Sequence, residues 1–144
     1  MTQSNLLAVP PVVVAGPARH LTVQPFPYAV TAVELSIVAP FRRPDERLLT
    51  VLRDVSRILH AQGISFEVIA VPAGRVDGDA AALEKLAYTR VVRSRDLQDK
   101  GAAMEVGFAM ATGAWVCFLD AEGDDEIDAY ELAEHFHRAR EGDA

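Results

Sequence analysis

From residue 34 onward, short apolar runs alternate with stretches in which apolar positions recur every three or four residues, the pattern of strands separated by amphipathic helices. Leu35-Ser36-Ile37-Val38-Ala39 predicts a buried strand closed by Pro40. Leu48, Leu52, Val55 and Leu59 share one helical face, which predicts a helix over 45–62 with Asp45 as its cap and Gly63 at its end. Residues 66–71 predict a second strand, and Asp79 is placed to cap a shorter helix that runs through Tyr88. Arg90-Val91-Val92-Arg93 predicts a short third strand. The Ala- and Met-rich stretch 100–112, followed by Gly113, predicts a third helix, and 114–119 a fourth strand. Residues 126–140 complete the series as a helix with Ala129, Leu132, Ala133 and Phe136 on one face.

Strands alternating with helices predict an α/β fold, a mostly parallel Rossmann-like sheet with helices on both faces, because right-handed crossovers place helices over each side. Residues 1–33 carry Pro10, Pro11, Pro17, Pro25 and Pro27 without helical periodicity, and their β-prone pieces at 12–14 and 21–23 predict a proline-rich N-terminal arm packed on a domain over 34–144. Ligands of such sheets bind beyond the carboxyl ends of the strands. Chemistry is therefore expected in 40–43, 72–79, 96–101 and 120–125.

Composition narrows the class. The chain has 144 residues, 50% of them apolar and 24% charged, with a mean hydropathy of +0.10, which suits one ordinary hydrophobic core and excludes a disordered or membrane-spanning chain. Fourteen basic against 21 acidic residues give a net charge of −7, unsuited to the phosphate backbone of nucleic acid. From Asp120 to the end there are ten acidic and two basic residues, so all the excess acidity lies in one segment. The single cysteine, Cys117, sits within an apolar run and is expected to be a buried packing residue in a reducing compartment. The apolar stretch 6–18 lacks a preceding cation and is broken by Pro10, Pro11 and Pro17, so it reads as an extended arm without a transmembrane segment, and a cytoplasmic location is expected.

Two loop motifs hold candidate chemistry. Asp120-Ala121-Glu122 places two carboxylates at i and i+2 after a strand, where extended backbone projects both to one side and hard divalent cations such as Mg²⁺ or Mn²⁺ find oxygen ligands. The same acids also suit a solvated turn at the positive end of the next helix. Lys100-Gly101 at a helix start offers a cation beside a small residue, suited to a phosphate or, equally, to a plain tight turn. Arg42, Arg43 and Arg75 are either phosphate contacts or solvated charges. His135 and His137, two positions apart on a helix, diverge and do not form a zinc pair. The chain has neither a Walker A sequence nor a G-x-S-x-G nucleophile turn.

The strand ending in Pro40, the run Phe66 to Val71 followed by Gly74 and Asp77-Gly78, then Lys100-Gly101-Ala102-Ala103, and above all the continuous stretch from Gly107 through Trp115 to Asp120-Ala121-Glu122 resemble, in that order, the nucleotide-binding half of inverting family-2 glycosyltransferases of GT-A fold. The resemblance spans about 34–136 and is nearest the dolichyl-phosphate mannosyltransferase branch. It implies a truncated GT-A fold that binds a nucleoside-diphosphate sugar, with Asp120 and Glu122 on Mg²⁺ or Mn²⁺ and with Pro40, Phe41, Arg42, Ala73, Lys100 and Gly101 on the nucleotide side. Such a metal would act as a Lewis acid on the leaving diphosphate. This chain carries Pro72-Ala73 where the family has an acidic pair, a Glu in the second acid position of its D-x-D motif, and Arg43-Pro44 near the family's Asn-Glu.

The family's acceptor half and catalytic base correspond to nothing in this chain, so glycosyl transfer is expected only with a second half or a partner subunit. The competing expectation is a non-catalytic binding module whose uncovered sheet edge or apolar face is covered in a homo-oligomer or by a partner subunit. A nucleotidyltransferase remains a third class, for which no triphosphate signature is present.

Overall fold

The computed structural model describes residues 13–14, 21–25, 33–76, 78–92, 99–122 and 127–142. Three aspartates start its longer helices. Asp45 accepts the Leu48 amide at 3.1 Å before α1 (Glu46–Ala61). After the one-turn α2 (Ala81–Glu84), Asp99 accepts the Ala102 amide at 2.7 Å before α3 (Lys100–Met110). Asp128 accepts the Tyr130 and Glu131 amides at 2.9 and 3.3 Å before α4 (Ala129–Arg140). Each carboxylate satisfies amides that have no partner within the helix. α4 thus begins three residues later than the periodicity predicts, because Asp128 ends the extended approach.

The strands are β1 (Val13–Val14), β2 (Leu21–Pro25), β3 (Leu35–Phe41), β4 (Phe66–Pro72), β5 (Thr89–Val91) and β6 (Trp115–Leu119). Asp79 does accept the Ala81 amide at 2.9 Å, but α2 stops at Glu84 and does not reach Tyr88. Tyr88 adopts a φ of 63° and its carbonyl takes the Val68 amide at 2.8 Å, so pairing with β4 overrides the local helical tendency. β5 correspondingly starts at Thr89, one residue earlier than expected, and Arg93 lies outside the described residues.

One sheet holds the strands in the order β1-β2-β6-β3-β4-β5. β6, β3, β4 and β5 are parallel, while β2 runs antiparallel to β6 and β1 antiparallel to β2. The arm thus supplies two strands of the same sheet. The β6 edge is paired with β2 from Leu21↔Leu119 to Pro25↔Trp115.

Side chains alternate across β3. Leu35, Ile37, Ala39 and Phe41 join the core under α1 and α4, while Val38 faces the smaller core under α3 with Ile69, Val71, Ala103 and Val116. α3 sits close because Gly107 has no side chain: a Cβ there would lie 2.3 Å from Val38 Cγ1. Gly113 is likewise confined, since a Cβ would meet the Ser36 nitrogen at 2.7 Å. Cys117 is fully buried, which pushes its thiol pKa far up and fits a packing role. Among the described residues, no helix is long and apolar enough to cross a membrane.

Candidate functional site

β4 and β6 flank β3 on its two sides, so the carboxyl ends of three parallel strands share one rim of the sheet. This rim is the usual ligand position in open α/β sheets. A cavity of about 330 Å³ lies there, lined by Pro40, Arg42, Ala73, Gly74, Arg75, Asp99, Lys100 and Glu122. Four separate segments therefore meet: the ends of β3 and β4, the start of α3 and the turn after β6.

Each wall has a local cause. The Ala73 amide donates to the Phe41 carbonyl at 2.8 Å, which ties the loop after β4 to the end of β3. Gly74, with a φ of 95°, then turns the chain in the left-handed region that side chains disfavour and carries exposed Arg75 to the rim. Lys100 is placed by α3, which is fixed at its far end by a polar clamp. There Glu67 Oε2 accepts the Ser36 hydroxyl at 2.6 Å and the Thr112 amide and hydroxyl at 2.9 and 2.8 Å. Arg90 donates to Glu67 Oε1 at 2.9 Å and to the Met110 carbonyl at 3.1 Å. Burial pushes the Glu67 pKa up, yet these donors outweigh it and hold the carboxyl below its ordinary value.

The two acids after β6 have different partners. Asp120 forms an ion pair with Lys100 through Oδ2 and accepts the Glu122 amide at Oδ1, 3.2 Å away. Glu122 reaches across the crevice: both its oxygens accept the Arg42 amide at 2.9 Å, and Oε2 also takes the Arg43 amide at 2.5 Å. The lysine corner and the acidic corner are thus in direct contact on one rim.

This donor set does not fit a divalent cation as it stands. The Asp120 carboxylate already holds an ammonium, and Glu122 is engaged by backbone amides. No group of three His, Cys, Asp or Glu able to hold a metal ion is present among the described residues. At the place expected to hold a shared Mg²⁺ or Mn²⁺, Asp120 is paired with Lys100 and Glu122 with the Arg42 and Arg43 amides.

Of the residues expected on the nucleotide side, Pro40, Arg42, Ala73 and Lys100 line the cavity. Phe41 is buried in the core and contributes its carbonyl instead of its ring. Gly101 is exposed in the first turn of α3, outside the cavity lining. A Cβ at Gly101 would meet only Asp99 Oδ1, at 3.4 Å, so packing inside the protein does not demand glycine there. Sequence reasoning left Arg75 ambiguous and assigned no role to Glu67; the latter's signal was an acid inside an apolar strand. His137 bonds Gln62 Oε1 at 2.8 Å, a contact between helix ends far from the cavity.

A wider groove of about 690 Å³ runs between α1 and α4, lined among others by Glu46, Thr50, Asp54 and Tyr130. None of the candidate residues borders it. Residues 36–144 match the family model described as glycosyl transferase family 2. A search of curated proteins gave no match.

Proposed function

Since the chain belongs to glycosyl transferase family 2, we propose that it binds a nucleoside-diphosphate sugar in the cavity at the ends of β3 and β4, as the donor-binding part of a glycosyltransferase. Transfer to an acceptor would be completed by a second half or a partner subunit, because none of the cavity's carboxylates stands out as a base for an acceptor hydroxyl. The observation that carries this reading is the meeting of Arg42, Arg75 and Lys100 around one strand-end cavity. Three cations against two acids, Asp99 and Glu122, leave the lining positive on balance, which suits a diphosphate, and preorganised positive charge stabilises the same group as it leaves. Pro40 and Ala73 offer apolar wall for a base or ribose.

A Mg²⁺ or Mn²⁺ ion enters this reading only if Lys100 withdraws from Asp120. Calorimetry with UDP- and GDP-sugars, each with Mn²⁺ and with EDTA, tests the proposal. Saturable heat with one donor under either condition is expected. No heat with any donor under both conditions overturns it.

The alternative, a binding module without transfer activity, draws on Ala73, which lines the cavity at a position where the family has an acid. The two readings separate on donor turnover once an acceptor and a completing subunit are supplied.

A further inference from the structure

We propose that this site grips the diphosphate without a divalent metal ion: the Lys100 ammonium, anchored on Asp120, bridges that carboxylate to the phosphate oxygens. The inference rests on the donor-site reading above and specifies how that site holds its ligand.

A divalent cation between an acidic motif and a diphosphate works as a positive bridge between two anions. An ammonium can do the same, since it carries three donors and Asp120 takes one. The layering of the pair is right for that role. The Asp120 side chain is only 13% exposed, the Lys100 side chain 55%, and Lys100 borders the cavity while Asp120 does not. A ligand entering the cavity therefore meets the cation, with its counter-charge behind it.

Among the described residues, the other carboxylates lining the cavity are engaged as well. Glu122 is held by two backbone amides: Oε2 accepts from Arg42 and Arg43, and Oε1 shares the Arg42 N–H in a three-centre bond. Asp99 caps α3 through Oδ1. Arg42 and Arg75, both exposed on the same cavity, add positive charge that would repel an incoming divalent ion and attract a dianionic ligand. The chain thus places cations of its own at this crevice, beside the acids Asp99 and Glu122.

The test is calorimetric titration of the full chain with UDP and with GDP, in EDTA and in Mn²⁺. Expected is binding in EDTA with an affinity within about threefold of that in Mn²⁺, an affinity loss of about tenfold or more in Lys100→Gln, and near-retention in Lys100→Arg. Arg75→Gln should weaken binding in EDTA as well, and thermal melts of all variants verify that the fold is intact. Binding that requires Mn²⁺ and is indifferent to Lys100→Gln overturns the metal-free grip while the donor-site reading stands. Absence of binding by either nucleotide in both conditions overturns the donor-site reading, and this inference with it.

Discussion

The carboxylate of Glu122 accepts the backbone amide of Arg42 through both oxygens, each at 2.9 Å, across 80 residues of sequence. An acid that the spacing marked as a metal ligand is thereby a strut between the loops after β3 and β6, and it forms part of the cavity wall. Its removal leaves the Arg42 and Arg43 amides without this acceptor. We expect Glu122→Ala to lower the unfolding free energy by about 1–3 kcal/mol in urea titrations run in EDTA, with a smaller loss for Glu122→Gln. An acid that served only to bind metal would leave the metal-free stability unchanged, so an unaltered midpoint refutes the strut.

Gly107 and Val38 fix how closely α3 approaches the sheet. Alanine at an open helical site would stabilise the chain by up to about 1 kcal/mol. Here the added carbon lies 2.3 Å from Val38 Cγ1, so Gly107→Ala should destabilise instead, by about 1–3 kcal/mol. Pairing it with Val38→Ala should recover part of that loss in a double-mutant cycle. A stabilised single variant would contradict the close packing.

Glu67 makes the fold sensitive to acid. Its carboxyl is held below the ordinary value of 4.5, because the Ser36, Thr112 and Arg90 donors outweigh a burial that by itself would raise it. A group with a lowered folded-state pKa contributes stability above its unfolded value and loses it as pH falls through the folded one. Unfolding free energy should therefore decline below about pH 4.5 in the unaltered chain. Glu67→Gln should cost about 1–3 kcal/mol at pH 7 and flatten that decline. Parallel pH curves for the two proteins would show that the clamp is not the titrating element.

β2 gives the last prediction. It pairs with β6 along five residues, covering an edge whose amides and carbonyls would otherwise be open to another chain. Deleting residues 1–25 should produce concentration-dependent self-association in light scattering at concentrations where the full chain shows less. Equal scattering by both proteins would mean that β2 does not protect this edge.

Much of the architecture was legible along the chain. Leu48, Leu52, Val55 and Leu59 marked one face of α1, and all four are buried. Asp45 was recognisable as a cap because a short acceptor stood just before an apolar helical period, and the structure agrees. The α2 region was misread as a longer helix, since its end is set by the Val68–Tyr88 hydrogen bond, a contact that local propensity does not encode. At the candidate site, the loops and most lining residues were foreseen. The partners of Asp120 and Glu122 were not, because spacing along a strand shows which side a carboxylate leaves from and says nothing about what it meets.

The sequence alone determined the alternation of strands and helices, their caps and the parallel α/β class, all of which follow from periodicities and hydrogen-bonding groups within a few residues. Only the tertiary structure decided that β6 lies beside β3, that β2 covers the opposite side of β6, and that Lys100 stands against Asp120 while Glu122 spans to Arg42 and Arg43. Those relations depend on which strand edges pair and on how closely a glycine lets α3 approach, and both are settled by packing between segments distant in the chain.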